Sequence, residues 1–161
     1  VFERLPKELP RLISIGRLDL NSEGLLLLTN DGEIARKLEL PANGWLRRYR
    51  VRVNGAVDTA RLAALADGIA IEGVRFGSIE AKLDRTQGAN SWLTVSLAEG
   101  KNREIRRVFE HLNLPVSRLI RLAFGPFQLG QLDRGDVVEV PKKVVAEQLG
   151  LERRGHAHRR R

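Results

Sequence analysis

Three stretches of the chain bring chemically able side chains close together. The first is Gly16-Arg17-Leu18-Asp19, which runs on through Leu20-Asn21-Ser22-Glu23 to Gly24. An aspartate in a glycine-bounded loop between apolar segments has three uses. It caps a turn with its carboxylate, it binds a metal, or it serves as a nucleophile or base. No cluster of His, Asp or Glu stands nearby and Glu23 alone is a poor co-ligand, so a metal site is disfavoured. Spacing alone does not decide among the three. The second stretch is Lys101-Asn102-Arg103-Glu104-Ile105-Arg106-Arg107. Ile105, Val108, Phe109 and Leu112 recur at the spacing of a buried helix face. Arg103, Arg106 and Arg107 then group on the opposite side at i, i+3 and i+4, only partly neutralised by Glu104 and Glu110. Such a run is either a solvated helix face or a phosphate site, because cations at a helix start add to the positive end of its dipole. In the third stretch, Ser117-Arg118-Leu119-Ile120-Arg121, two arginines flank an apolar pair. An arginine inside a strand needs a partner, since a buried unpaired guanidinium is very costly, and Asp19 is a candidate.

The elements that must position these groups follow from periodicity. Leu12 to Ile15 is a short apolar segment, and Leu25 to Leu28 reads as a buried strand. Thr29-Asn30-Asp31-Gly32 supplies a turn and a cap for a helix through Leu40, which Pro41 stops. Tyr49, Val51 and Val53 alternate with Arg48, Arg50 and Arg52, the pattern of a half-buried strand with a basic outer face. Asn54-Gly55 is a turn signal. Asp58 or Thr59 caps a helix through Ala66, closed by Asp67-Gly68. Ile69 to Ile71 and Val74 to Phe76 flank a turn at Glu72-Gly73, and Ser78 to Leu83 continues the strand pattern. Leu93, Val95 and Leu97 alternate with Trp92, Thr94 and Ser96 in a further strand. After the helix that follows Gly100 come an extended segment from Val116 to Phe124, a last strand at Val137 to Val140, and a helix from Lys142 to Leu149. Many strands with interspersed helices, without regular βαβ alternation, predict an α+β fold built on a mainly antiparallel (mixed) sheet with flanking helices.

Composition limits the partners. With 161 residues, 42% of them hydrophobic and 30% charged, the chain reads as one soluble globular domain. It has no apolar run long enough to span a bilayer, so no membrane association is expected. It has no cysteine, and thus no disulfide framework and no thiol nucleophile. A reducing, cytoplasmic setting fits. The net charge of +8 suggests an acidic partner. Much of it belongs to the tail from Arg153 to Arg161, which carries five arginines and no acid. Residues 152–161 are expected to form a disordered basic tail behind a domain spanning 1–151.

Together these stretches resemble a known family. Gly16-Arg17-Leu18-Asp19 through Gly24-Leu25-Leu26-Leu27-Leu28-Thr29-Asn30-Asp31-Gly32 is similar to the signature of one group of bacterial ribosomal RNA pseudouridine synthases. That group unites the type-A enzymes of the small ribosomal subunit with the type-B enzymes of the large one. Arg48-Tyr49-Arg50-Val51, Glu99 to Arg107, and Arg118-Leu119-Ile120-Arg121 with Gly125-Pro126 resemble the group's later motifs, in the same order. The resemblance runs roughly from Val1 to Val145 and leans toward the type-B enzymes.

This resemblance implies the pseudouridine synthase catalytic fold, isomerisation of a uridine in bacterial ribosomal RNA, no cofactor, no metal and a monomer. It implies Asp19 as the nucleophile and Tyr49 as the aromatic that stacks on the uracil and takes part in removing its C5 proton. Arg121 is implied as the arginine paired with the nucleophile, with Arg118 as the alternative if the register differs. Arg17, Lys101, Asn102, Arg103, Arg106, Arg107, Arg118, Leu119 and Ile120 would form the RNA and substrate surface. Members of the group usually begin with an S4-type RNA-binding domain and a strand bearing an Asn/Lys-Pro-x-Gly motif. This chain starts downstream of both, so an N-terminally truncated catalytic domain is expected.

Overall fold

The computed structural model describes residues 9–16, 18, 21–39, 45–101 and 103–149. Arg17, Asp19, Asn102, the helix stop at Leu40-Pro41 and the tail 152–161 therefore lie outside the described residues.

The architecture is α+β, as the strand-rich pattern predicts. Its centre is a mixed sheet. β4 (Arg47–Asn54) lies between β8 (Asn90–Leu97) and β9 (Val116–Phe124), and β7 (Ile79–Gln87) pairs with the far side of β8. These pairings are antiparallel. On the other side of β9, β10 (Phe127–Gln128) adds an antiparallel turn and β2 (Glu23–Gly24) pairs in parallel. Two small ribbons complete the strands: β1 (Ile13–Ile15) with β3 (Leu27–Thr29), and β5 (Ile69–Ile71) with β6 (Val74–Phe76). At the turn of the second ribbon Glu72 and Gly73 both take positive φ, which a tight hairpin requires.

The alternation in β4 and β8 works as periodicity demands. Val51, Val53, Leu93 and Val95 are fully buried on one face, against Val108 and Phe109 of α3 (Glu104–His111) and Leu62 of α2 (Thr59–Ala64). Asp58 caps α2 by accepting from the Ala60 and Arg61 amides. Residues Leu65–Asp67 then tighten into a 3₁₀ turn that ends at Gly68. On the opposite face the arginines of β4 are occupied: the Arg50 and Arg52 guanidiniums lie 4.9 and 5.6 Å over the Trp92 ring.

A second apolar cluster joins Ile15, Leu25, Leu27, Ala35, Leu38 and Phe124. It fastens the β1–β3 ribbon and α1 (Gly32–Glu39) to the end of β9. Trp45 meets Phe124 and Phe127 edge-on, at 6.3 and 6.0 Å. Asp31 accepts from the Glu33 amide at 2.9 Å and so starts α1 as expected.

Three expectations need correction. The strand read at Leu25 to Leu28 is displaced: β3 begins at Leu27, and Leu25 is held by β9 instead. The strand read at Ser78 to Leu83 runs on to Gln87 because β8 offers a long antiparallel edge. Val137 to Val140 is not a strand. Val137 and Val138 are 48% and 66% exposed. An alternating run becomes a strand only where a neighbour takes up its backbone hydrogen bonds, and this one has none among the described residues. The helix from Lys142 to Leu149 forms as predicted (α4).

Candidate active site

A cleft of about 260 Å³ opens on the buried face of β4 and β9, just below the usual range for ligand pockets of roughly 300 to 1,000 Å³. Its floor is Tyr49, Leu119 and Arg121. One wall is the loop residues Gly16, Leu18 and Ser22, and the other runs from Glu99 through Lys101 to the first turn of α3.

The floor depends on an irregularity. Arg48 faces Ala123 across the β4–β9 ladder, yet Tyr49 faces Arg121, so Leu122 is an extra residue on β9. This bulge turns Arg121 onto the face of Tyr49, and such re-aiming of a side chain is a common use of bulges beside functional sites. A second register shift leaves Ser117 unpaired, and its hydroxyl is taken up by the Arg52 guanidinium at 2.9 Å.

Arg121 is 2% exposed. Its Nε donates to the Leu25 carbonyl at 2.8 Å, while the Leu25 amide donates to the Arg121 carbonyl at 2.9 Å. Its Nη2 is buried and has no hydrogen-bond partner among the described residues. Burial works against its charge and lowers its pKa, and the Tyr49 side chain beside it offsets part of that effect. A buried guanidinium nitrogen without an acceptor, bordering a cleft, is a place built for an anion.

The loop bearing Asp19 is stapled at both ends. The Gly16 amide, at positive φ, donates to the Glu39 carboxylate at 2.8 Å. At the other end, Gly24 pairs with Arg121 in the parallel β2–β9 contact. Here glycine is obligatory: φ is +108°, and a Cβ would fall 2.3 Å from the Arg121 carbonyl oxygen. Arg106 adds a third tie by donating to the Asn21 carbonyl at 3.0 Å.

The cationic stretch divides. Lys101, Arg103 and Arg106 border the cleft. Arg107 lies over the Phe76 ring at 5.1 Å, with Lys101 over the same ring at 5.5 Å. Arg103 is exposed and left-handed, with φ 52°, so it precedes the helix instead of sharing its solvent face.

The two arginines of β9 part company as well. Arg118 and Ile120, expected on the substrate surface, alternate away from Leu119 and Arg121 and face the other side of the sheet. There Arg118 makes a two-pronged ion pair with Glu23, at 2.8 and 3.0 Å. That contact lowers the Glu23 pKa and raises that of Arg118. Arg118 therefore does not take the place of Arg121.

Sequence reasoning missed Arg47, Glu99 and Glu104. Arg47 shares the parity of Tyr49 along β4, a signal that was available. It lies 4.8 Å over the Phe124 ring and donates to the Ala98 carbonyl.

Residues 3–111 match the family model described as RNA pseudouridylate synthase. The chain is 51% identical over 144 residues to an uncharacterized RNA pseudouridine synthase of Rickettsia bellii, covering 89% of this chain and 62% of the relative. It is 46% identical over 147 residues to the ribosomal large subunit pseudouridine synthase B of Haemophilus influenzae, covering 90% of this chain and 41% of the relative. It thus spans between two fifths and two thirds of these relatives' length. Among solved structures, a pseudouridylate synthase superposes with TM-score 0.78 at 28% identity, covering 92% of this chain and 64% of that one. An archaeal box H/ACA Nop10–Cbf5 complex shares the fold, with TM-score 0.57 at 19% identity.

Proposed function

Because the chain belongs to the RNA pseudouridylate synthase family, we propose that it isomerises a uridine of bacterial ribosomal RNA, in the cytoplasm, to pseudouridine. We further propose that the substrate is the large-subunit RNA and that Asp19 is the nucleophile, with residues 1–151 as the catalytic unit. The observation that carries this reading is the pairing of Tyr49 with a buried Arg121 whose Nη2 has no acceptor among the described residues. The wall of their cleft is formed by Leu18 and Ser22, the residues on either side of the Asp19 segment.

The residues divide the work as follows. A uridine leaves its stack, at a cost of a few kcal/mol, and its base lies against Tyr49 and Leu119. The Asp19 carboxylate accepts from Arg121 Nη2, which keeps it ionised and aimed. The Asp19 carboxylate forms a transient bond to the uridine as the N1–C1′ bond breaks, the uracil turns over, and C5 forms the new bond to C1′ while the bond to Asp19 is released. The C5 proton is then lost and N1 gains one, so atoms balance without a redox partner. Lys101 and Arg103 hold the phosphates beside the flipped nucleotide.

The test is to incubate ribosomal RNA from bacteria lacking the enzyme with the chain and with Asp19→Ala. Pseudouridine formed only by the unaltered protein is the expected outcome. RNA retained equally by both proteins without product would favour a binding module that keeps the fold, and free uracil would favour a hydrolase.

A further inference from the structure

One group in the cleft that the proposed chemistry leaves unused is the carboxyl of Glu104. It is 2% exposed, which is unusual for a glutamate. Its Oε1 accepts from the Lys101 amide at 3.1 Å, and its own amide donates to the Lys101 carbonyl at 3.0 Å. This closes the turn 101–104 with one side-chain and one backbone hydrogen bond. Its Oε2 is buried and has no hydrogen-bond partner among the described residues.

The neighbouring acid is Glu99. One of its oxygens accepts from the Gly77 amide at 2.5 Å, and the other lies 3.6 Å from the Lys101 ammonium. Lys101 is thus held at its backbone by one carboxyl group and at its side chain by the other. Both acids border the cleft. Two full negative charges there would repel each other and any phosphate brought to Lys101 and Arg103. A proton on Glu104 Oε2 removes the repulsion and supplies the missing hydrogen bond.

We infer that Glu104 acts as a neutral acid hydrogen-bonded to Glu99, and that this pair is a positioning device holding the Lys101–Arg103 turn in its RNA-binding shape. The inference rests on the reading of the cleft as an RNA site. Burial pushes the Glu104 carboxyl up to about 7, with the Glu99 charge adding to the rise and the Lys101 amide and ammonium opposing it. Among the described residues, the other charged or titratable groups bordering the cleft are Arg47 and Tyr49 from β4, Arg121 from β9, and Arg103 and Arg106 at α3.

The experiment is filter binding of an unmodified large-subunit ribosomal RNA transcript, from pH 6 to 9, with turnover measured separately. Wild-type affinity should weaken by about tenfold above pH 7, as the second charge forms. Glu104→Gln keeps the acceptor and cannot ionise, so its affinity should stay at the low-pH value throughout. Glu104→Leu should bind about tenfold more weakly at every pH. A Glu104→Gln profile that tracks wild type overturns the inference, whether or not Glu104→Leu folds. If the chain binds with the expected profiles yet makes no pseudouridine, the catalytic reading fails and this one stands.

Discussion

Tyr49 and Arg121 face each other across β4 and β9 only because Leu122 is bulged out of the ladder between them. In an unbroken register Tyr49 would oppose Leu122, and the guanidinium would leave the cleft. The bulge therefore joins the aromatic and the cation into one floor, and the Leu25 carbonyl fixes the guanidinium from behind.

Arg121→Lys should cost about 100-fold or more in turnover, the scale for removing one oriented donor from a reacting centre. Lysine carries the charge but not the fork that reaches the Leu25 carbonyl and a carboxylate together. The variant should stay folded by circular dichroism. Turnover within threefold of wild type would remove Arg121 from the mechanism.

Tyr49→Phe separates stacking from proton handling. The ring still packs on the base, so KM should stay within about threefold while kcat falls. Tyr49→Ala should also lose binding, by about 1 to 3 kcal/mol for one stacked base. Single-turnover kinetics on the same RNA tell the two apart. An unchanged kcat in the Phe variant would rule out any role for the hydroxyl.

Much of this site was legible in the sequence, for reasons that are local. Asp31 and Asp58 are helix caps readable from their neighbours, and Val51-Arg52-Val53 announces its face by parity alone. The choice between Arg118 and Arg121 was not legible. Both flank Leu119-Ile120, and it is the pleat of β9 together with the Leu122 bulge that buries one and leaves the other on Glu23. Glu104 was misread for a similar reason. Among arginines it looks like a surface counter-charge, yet Arg103 precedes the helix proper, and the carboxyl of the next residue turns inward. Val137 to Val140 has the right alternation but no strand to pair with, which only the assembled sheet reveals.

Gly24→Ala should destabilise the fold by more than the about 1 to 3 kcal/mol that holding a side chain in a strained backbone region costs by itself. The new methyl also meets the Arg121 carbonyl, so turnover should fall with stability. Urea unfolding reads the first effect and pseudouridine formation the second. A stable, active variant would mean that β2 does not position Arg121.

Salt dependence distinguishes cleft cations from those on the far face. Arg103→Ala should lower the slope of log K against log salt by about 0.7, the value for one phosphate contact on a single strand. Arg118→Ala should leave it unchanged, because Arg118 faces the other side of the sheet and is engaged by Glu23. The reverse result would put the RNA on the opposite face.

The raised Glu104 pKa makes stability itself depend on pH. The folded protein holds this proton up to about pH 7, whereas the unfolded chain releases it near 4.5. Between those values the native state binds more protons than the unfolded one, so the contribution of this group falls as pH rises and is lost above about 7. Glu104→Gln removes the titration. Thermal melts from pH 5 to 8 should therefore show the wild type losing ground to the Gln variant, with the gap opening across that window and constant beyond it. A gap that stays the same from pH 5 to 8 would show that Glu104 is already ionised in the folded protein at the acidic end.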